Sequence, residues 1–304
     1  MTEELPTTEK RNPSSWALDE MPIESILRLM NEEDRRVPEA VAGALPQIAA
    51  AVELLVEAWH GGGRWIYVGA GTSGRIAALD AAECPPTFGV SLDRVRALVA
   101  GGQTAAARAV EGAEDDGAAA IRDLEALCLR PNDAVVGITA SGRTPYVISA
   151  VRHASEIGCA TVGISNNAGS ELGGVARVGI DVVTGPEVLT GSTRLKAGTS
   201  QKLVLNMLST TAFTRLGKVY ENLMVDVQAT NEKLKRRARC IVREAAGVPD
   251  EVAGKLLRAA EGSVKVAVVM GGAGVSADEA RSLLAGAGGH VRRALDSARS
   301  TRPA

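Results

Sequence analysis

Short runs of consecutive apolar residues alternate along the chain with stretches in which apolar residues recur every three or four positions. The short runs predict five β-strands, at residues 65–68, 95–99, 134–139, 160–164 and 179–184. The three-to-four spacing predicts helices between them, at residues 74–82, 113–128 and 146–157. Apolar strands that alternate with helices are typical of a parallel sheet covered on both faces. The pattern therefore predicts an α/β fold with three layers.

Helical patterns flank this predicted core. Residues 1–20 are polar and predict an extended arm, while residues 23–30 and 37–60 predict helices, the second ending at three glycines. A long helix is predicted over residues 196–216. We expect three parts, which are an N-terminal arm with helices over 1–60, a ligand-binding sheet domain over 61–230, and a small helical domain over 231–304.

The last part of the chain, residues 232–304, contains an internal repeat at an offset of 27 residues. The matching pairs are Ala253 and Ala280, Leu256 and Leu283, Leu257 and Leu284, Gly262 and Gly289, Val264 and Val291, and Ala267 and Ala294. Each copy predicts a helix, a glycine turn and a second short helix. Because the repeated positions are apolar or glycine, we expect this module to serve packing or dimerisation and not the chemistry.

Two loops rich in glycine and hydroxyl residues each connect a predicted strand to a predicted helix. The first, residues 69–74, includes Thr72 and Ser73, and the second, residues 140–145, ends at Pro145 in a first helical position. Glycines let the backbone approach a ligand closely, and a helix N-terminus attracts anions. The loops predict one anionic ligand held by one or both of them, with ordinary turns as the alternative. Neither loop matches a dinucleotide fingerprint or a Walker loop.

Composition excludes several classes of function for the 304 residues. The net charge is −2 without a dominant basic block, which argues against a nucleic-acid-binding surface. The N-terminus lacks an apolar signal core, and no stretch approaches an uninterrupted membrane span. The four cysteines and three histidines are dispersed, which argues against a disulfide framework and a metal site. We therefore expect a cytoplasmic protein with reduced thiols.

Five motifs together resemble the N-acetylmuramic acid 6-phosphate etherase family, whose members have the sugar isomerase (SIS) fold. They are GAGTSGR at 69–75, DAAECPPTFG at 80–89, VEGAEDD at 110–116, TASGRTPYV at 139–147 and GSTRLKAGTSQKLVLNMLST at 191–210. Residues 8–13 of the arm are similar too, so the resemblance covers essentially the whole chain. The glycine loops alone mark only the wider SIS fold, whereas ECPPTFG and EGAEDD are more specific.

The resemblance implies an SIS-type three-layer sandwich and a lyase that removes D-lactate from N-acetylmuramic acid 6-phosphate. It also implies a homodimer that binds a small sugar phosphate, needs no metal or other cofactor, and serves the recycling of a cell-wall sugar. Two other functions remain open on this fold. One is a non-catalytic regulatory protein that binds sugar phosphates, like the glucokinase regulatory protein, and the other is an aldose–ketose isomerase.

Two carboxyl groups are the catalytic candidates. Glu83 precedes Pro85 and Pro86, which are expected to end the helix, and the negative end of a helix dipole favours a protonated carboxyl that can act as an acid. Glu114 lies near the start of the next predicted helix, where the dipole favours a carboxylate that can act as a base. The resemblance likewise implies that Glu83 donates a proton and that Glu114 is the second catalytic carboxylate. Without the resemblance, a surface turn at Glu83 and a solvated helix cap at Glu114 are favoured over catalytic roles.

The candidate substrate-binding residues lie in three motifs. Ser141, Gly142 and Thr144 are expected to contact phosphate or hydroxyl groups, and Gly71, Thr72 and Ser73 to contact sugar or phosphate; the pattern leaves open which loop holds the phosphate. Arg143 either neutralises the phosphate or lies in solvent. Ser192 and Lys196, at the start of the long helix, either close the pocket or cap that helix.

Overall fold

A parallel sheet of five strands forms the centre of the fold. The computed structural model describes residues 5–108, 110–229 and 231–300, so the first four residues of the predicted arm lie outside the described residues. The strands are β1 (Trp65–Gly69), β2 (Val95–Val99), β3 (Ala134–Ile138), β4 (Ala160–Ser165) and β5 (Val178–Asp181). All neighbouring strands are parallel, in the order β2-β1-β3-β4-β5. The predicted strands and the predicted α/β class are confirmed.

Helices precede, follow and connect the strands. They are α1 (Ile23–Asp34), α2 (Arg36–Gly43), α3 (Leu45–His60), α4 (Gly71–Phe88), α5 (Gly102–Ala107), α6 (Gly117–Ala126), α7 (Pro145–Ile157), α8 (Glu171–Val175) and α9 (Lys196–Arg215). Short 3₁₀ turns lie at Thr7–Glu9, Pro13–Ser15, Leu18–Glu20 and Ala113–Asp115. The single helix predicted over 37–60 is two helices that meet at Ala44. The short helices α5 and α8 were not predicted, because each has too few residues to show a periodic pattern.

Among the described residues, no single helix is long and apolar enough to cross a membrane. One bent pair, Ile23–Gly43 with Leu45–His60 at an angle of 59°, meets that requirement by length and composition only.

Successive side chains of β1 point to opposite faces of the sheet. On one face, Trp65 Nε1 donates a hydrogen bond to the carbonyl oxygen of Leu55 in α3 at 2.9 Å. On the other face, Ile66 shares a core with Leu124 of α6 and Tyr146 of α7. Helices therefore cover both faces, which explains why all residues of β1 and β3 are buried and why these strands lack polar positions.

The register of the strands brings the functional loops together. Gly69 at the end of β1 pairs with Ile138 at the end of β3, which in turn pairs with Ile164 near the end of β4. Ligands of open parallel sheets bind at the carboxyl ends of the strands. The loops that follow β1, β3 and β4 therefore share one edge of the sheet.

Helix α4 continues through Pro85 and Pro86, so the prediction that these prolines end the helix just after Glu83 was wrong. The helix ends at Phe88, where Gly89 adopts a positive φ of 64° and its N–H donates to Pro85 O at 2.9 Å. Proline lacks a donor but has a helical φ, and the two missing bonds fall near the end of the helix. Glycine with positive φ, and not proline, is the residue that ends this helix.

The chain divides into two compact units. One comprises the described residues of Met1–Ala82 and Leu92–Ser209, and the other comprises those of Glu83–Ser91 and Thr210–Ala304. The segment Glu83–Ser91, which the sequence analysis assigned to the sheet domain, thus groups with the C-terminal part of the chain. The division into three parts with boundaries at residues 60 and 230 stays a prediction.

The C-terminal helices have the predicted duplicated form. They are α10 (Glu232–Ala246), α11 (Asp250–Ala259), α12 (Val264–Ala273), α13 (Ala277–Gly286) and α14 (Val291–Ser300). Gly262 and Gly289 occupy equivalent turns with φ of 84° and 81°. The equivalent alanines of the two copies are fully buried, namely Ala253, Ala280, Ala267 and Ala294. The repeated alanines, together with the buried Val264 and Val291, therefore form part of the core of the module.

Candidate active site

Three hydroxyl groups meet in the loop between β3 and α7. Thr139 Oγ1 lies 2.6 Å from Thr144 Oγ1 and 3.3 Å from Ser141 Oγ, which accepts a hydrogen bond from Arg143 N at 3.2 Å. Pro145 is the first residue of α7, as predicted, and the side chain of Thr144 does not cap the helix. Pro145 has no N–H, and the N–H groups of Val147 and Ile148 donate to Thr144 O at 3.1 and 3.0 Å. The nearby hydroxyl groups and the positive end of the helix dipole are therefore what suit the start of α7 to an anion.

Gly142 is required for the shape of this loop. Its φ is +72°, and a Cβ added there would lie 2.4 Å from Cβ of Ser170, which is closer than two carbon atoms can approach. Gly142 O also accepts a hydrogen bond from Leu172 N at 3.0 Å. The β3–α7 loop therefore packs directly on the loop between β4 and α8.

The β4–α8 loop is fixed by Asn167 and Asp181. The buried Asn167 amide donates to Ala140 O at 3.0 Å and to Ser141 O at 3.3 Å. Asp181 accepts hydrogen bonds from Ser165 Oγ at 2.6 Å, Gly169 N at 2.8 Å and Ser170 Oγ at 3.0 Å. The sequence analysis missed this loop, because Asn, Gly and Ser runs are typical of turns. The one feature of the sequence that points to the β4–α8 loop is its position directly after a predicted strand.

A cavity of about 560 Å³ opens beside these two loops. Its lining residues come from both loops, from the start of α8 and from the N-terminal arm: Leu5, Pro6, Thr7, Lys10, Ser141, Arg143, Asn167, Ala168, Gly169, Ser170 and Glu171. The arm is held there by Thr8, which is buried and exchanges hydrogen bonds with the side chain of Asn167. Of the predicted binding residues, Ser141 and Arg143 line the cavity. Arg143 is also exposed, so its two predicted roles, phosphate contact and solvent exposure, stay open.

The loop between β1 and α4 lies at the neighbouring strand end. Helix α4 begins at Gly71, half-buried Thr72 follows, and Ser73 is buried. A Cβ added at Gly198, in the first turns of α9, would lie 3.4 Å from Thr72 Cγ2, so the starts of α4 and α9 are in contact. These three predicted residues do not line the 560 Å³ cavity. Of the two predicted loops, the β3–α7 loop therefore contributes residues to this cavity and the β1–α4 loop does not.

Glu114 lies beside the start of α7. It is exposed in the 3₁₀ turn Ala113–Asp115, which precedes α6 and packs against α7. A Cβ added at Gly117 would lie 2.3 Å from Ser149 Oγ and 3.4 Å from Pro145 O, which places this connection on the first turns of α7. The residue that caps α6 is Asp116, whose side chain accepts from Ala119 N at 2.8 Å. The predicted helix 113–128 thus begins only at Gly117, so Glu114 lies in the turn before α6 and does not cap that helix.

Glu83 is exposed within α4, one turn and a half before its end. The neighbours Cys84, Pro85 and Phe88 are buried and form the packed side of this part of the helix. The helix-end argument for Glu83 therefore fails, because the carboxyl is not at the negative end of the dipole. Its catalytic role stays a prediction from the family motif.

Lys196 is buried and forms an ion pair with a carboxylate. Only 1% of its surface is exposed, and its ammonium group pairs with the carboxylate of Glu33. Burial raises the pKa of Glu33, but the hydrogen bond and charge of Lys196 and the Asn12 amide outweigh it and bring the pKa below its usual value. The two open interpretations of Lys196, pocket closure and helix capping, do not describe this contact.

The carboxylate that caps α9 belongs to Glu187. It accepts hydrogen bonds from Lys196 N at 3.1 Å and Ala197 N at 2.9 Å and is fully buried. Burial raises the pKa of Glu187, while the two backbone N–H groups oppose that shift. Ser192 lies four residues before α9, where its N–H donates to Leu189 O at 2.9 Å. Ser192 is thus not the cap of this helix.

Among the residues that the structure describes, no three His, Cys, Asp or Glu side chains lie close enough together to hold a metal ion. The independence from metal and other cofactors stays a prediction.

Curated relatives match nearly the whole chain. A protein of Geobacillus sp. (strain WCH70) named N-acetylmuramic acid 6-phosphate etherase is 53% identical over 289 residues, which are 95% of this chain and 98% of that protein. A protein of Mycolicibacterium smegmatis with the same name is 54% identical over 288 residues, 95% of this chain and 97% of its own. Family models match as well: the glucokinase regulatory protein N-terminal SIS domain over residues 47–155 and the SIS domain over 114–211.

Solved structures resemble about two thirds of the chain. A protein from Bacteroides fragilis, described as a phosphosugar isomerase involved in capsule formation, is 25% identical with a TM-score of 0.50 and covers 66% of this chain and 94% of its own. A phosphoheptose isomerase from Francisella tularensis is 20% identical with a TM-score of 0.50 and covers 64% of this chain and 100% of its own, which shows the shared fold alone.

Proposed function

The chain belongs to the family of N-acetylmuramic acid 6-phosphate etherases, and from that premise we propose that it converts N-acetylmuramic acid 6-phosphate to N-acetylglucosamine 6-phosphate and D-lactate. The observation that carries this proposal is the match to relatives of that name at 53–55% identity over 95% of the chain. The chain is a carbon–oxygen lyase of the SIS fold, and its substrate is a small sugar phosphate.

The phosphate binds at the β3–α7 loop. Ser141 and Thr144 supply hydroxyl donors there, Gly142 lets the backbone approach, and the start of α7 supplies positive dipole. Arg143, which lines the adjacent cavity, adds a positive charge. Gly71, Thr72 and Ser73 at the neighbouring strand end contact the sugar, and Ser192 closes the pocket before α9.

Elimination needs one base and one acid. The open-chain aldehyde form of the sugar makes the proton on C2 acidic, and Glu114 as a carboxylate removes it. Glu83 as a carboxylic acid gives its proton to the ether oxygen on C3, the C3–O bond breaks, and D-lactate leaves. A double bond then joins C2 and C3. Such proton transfers from positioned side chains each contribute about 10²–10⁴-fold to the rate.

Hydration reverses the two roles. Water adds to C3 and gives its proton to the Glu83 carboxylate, while Glu114 returns a proton to C2. Both groups then have their starting protonation states, and the product is N-acetylglucosamine 6-phosphate.

Release of D-lactate tests the function directly. The protein is mixed with N-acetylmuramic acid 6-phosphate, and free D-lactate is measured with a D-lactate dehydrogenase. We expect lactate release by the wild type and none by Glu83→Gln, which keeps the side-chain shape but has no acidic proton. A regulatory protein would bind the sugar phosphate and release no lactate, and an isomerase would interconvert an aldose and a ketose phosphate instead.

We also propose that the enzyme is a cytoplasmic homodimer that needs no metal ion. The family resemblance and the dispersed cysteines support this. Sedimentation equilibrium tests the dimer, and full activity in the presence of EDTA tests the independence from metal.

A further inference from the structure

We propose that the C-terminal helical module positions Glu83 for catalysis, through an ion pair between Lys265 and Asp226 that holds the end of α4. The inference rests on the proposed function, in which Glu83 is the catalytic acid. It replaces the expectation that the module serves packing or dimerisation only. The segment Glu83–Ser91 belongs to the same unit as the C-terminal helices.

The end of α4 is packed on backbone from the segment that precedes α10. A Cβ added at Gly89 would lie 2.4 Å from the carbonyl oxygen of Asp226, so the two backbones are in direct contact. One residue earlier, Phe88 stacks on Phe213 with ring centroids 4.5 Å apart. Glu83 lies only six residues before Gly89, in the last part of the same continuous helix. The contacts of Phe88 and Gly89 therefore fix the position of the helix end that carries Glu83.

Asp226 is held in turn by two lysines. Its Oδ2 lies 2.6 Å from Lys265 Nζ and 3.1 Å from Lys218 Nζ. Lys265 is the second residue of α12, and only 9% of its surface is exposed. Burial of a charged lysine is costly unless a carboxylate pairs with it, which makes this contact specific in geometry.

The contacts form one chain from the module to the acid. Lys265 of α12 fixes Asp226, the backbone of Asp226 fixes Gly89, and the last turn of α4 carries that position to Glu83. Lys265 is thus a positioning residue, since it has no direct contact with the substrate in this scheme. Misplacement of a reacting group by about 1 Å can reduce a rate by as much as about 100-fold.

The test separates the acid step from the base step. In D₂O, Glu114 exchanges the C2 proton of the substrate for deuterium, whereas lactate release requires Glu83 as well. Lys265→Met removes the ammonium group and keeps an unbranched apolar side chain. We expect it to lower kcat for lactate release by about tenfold with KM within about twofold, while deuterium uptake into the remaining substrate continues.

The matched control is Lys255→Met, which removes an exposed lysine of the same module that pairs with Glu251 at 2.8 Å. It should keep wild-type rates, and Lys265→Arg should recover most of the activity because it restores the charge. If Lys265→Met fails to fold by circular dichroism, Asp226→Asn takes its place, since it keeps the side-chain shape and weakens the same pair.

Two results would overturn the positioning role while the etherase function stands. One is lactate release by Lys265→Met equal to that of Lys255→Met. The other is a loss of lactate release and deuterium uptake in equal proportion, which indicates general destabilisation. Absence of lactate release by the wild type would instead overturn the proposed function, and the positioning role with it.

Discussion

Thr8 and Asn167 exchange two hydrogen bonds across 159 residues of sequence. Thr8 N donates to Asn167 Oδ1 at 3.4 Å, and Asn167 Nδ2 donates to Thr8 Oγ1 at 3.1 Å. The same amide donates to the carbonyl oxygens of Ala140 and Ser141 in the proposed phosphate loop. Asn167 therefore joins the N-terminal arm, the β4–α8 loop and the β3–α7 loop, and the arm forms one wall of the cavity.

Replacing Asn167 by Ala should weaken substrate binding. The substitution leaves buried carbonyl groups and the Thr8 hydroxyl without their partner, at a cost of about 1–3 kcal/mol. If that cost falls on the loop that binds phosphate, KM for N-acetylmuramic acid 6-phosphate should rise about tenfold or more, since about 1.4 kcal/mol corresponds to a factor of ten. Initial rates of D-lactate release give KM and kcat separately.

Asn132→Ala is the matched control for this substitution. Asn132 also donates its amide to a backbone carbonyl, Gly61 O at 2.6 Å, but it lies just before β3, at the amino end of that strand. The KM of the Asn132→Ala variant should stay at the wild-type value. An Asn167→Ala enzyme with an unchanged KM would show that the arm does not shape the site.

Gly142→Ala should weaken sugar-phosphate binding at least about tenfold while the protein still folds. The new Cβ would collide with Ser170, and the positive φ of 72° adds strain. Isothermal titration with N-acetylglucosamine 6-phosphate should show affinity reduced at least about tenfold. Gly247→Ala is the control, because Gly247 also has a positive φ, 64°, but open space around it. Normal binding by Gly142→Ala would exclude the β3–α7 loop as the phosphate site.

Glu114→Gln should slow turnover about 100-fold or more and leave binding of the sugar phosphate largely intact, as expected for loss of a positioned base. Uptake of deuterium at C2 of the substrate should fall together with turnover in this variant. Loss of the acid Glu83 should instead leave that uptake in place. Asp115→Asn, in the same exposed 3₁₀ turn, is the control and should keep its activity. Affinity lost in step with turnover would make Glu114 a binding residue instead.

The sheet was predictable because its signal is local. Every residue of β1 and β3 is buried, so these strands appear in the sequence as unbroken apolar runs. The repeat in the tail was predictable for the same reason, since equivalent packing positions carry equivalent residues. The loop after β3 could be identified as a candidate ligand-binding loop from its hydroxyl groups and from Pro145 at the helix start.

What the sequence did not predict depends on contacts distant in the chain. Asn167 acquires its role from Thr8, which no pattern around either residue indicates. Proline at positions 85 and 86 was taken as a helix end, but the terminating residue is Gly89, whose positive φ fits against the Asp226 carbonyl. Lys196 lies in a motif that resembles a binding segment, yet its partner is Glu33, 163 residues away.

The ion pair between Lys196 and Glu33 gives a prediction that separates a structural role of Lys196 from substrate binding. Both side chains are almost fully buried, so Lys196→Met would leave the Glu33 carboxylate without its main partner. Removal of one partner of a buried pair typically lowers the free energy of unfolding by about 3–5 kcal/mol. Because the double variant Glu33→Gln, Lys196→Met has no unpaired buried charge, urea unfolding should show a smaller loss.

The pH dependence of stability follows from the same pair. The pKa of Glu33 is lower in the folded protein than in the unfolded chain, so its contribution to stability is fully present above the unfolded value of about 4.5 and is lost as the pH falls through the folded pKa. The wild type should therefore lose stability below about pH 4.5 more steeply than the double variant, which lacks this carboxyl. Urea unfolding between pH 3 and 7 measures this difference. If the double variant recovers stability but not binding of N-acetylglucosamine 6-phosphate, Lys196 also contacts the substrate; recovery of both makes it structural.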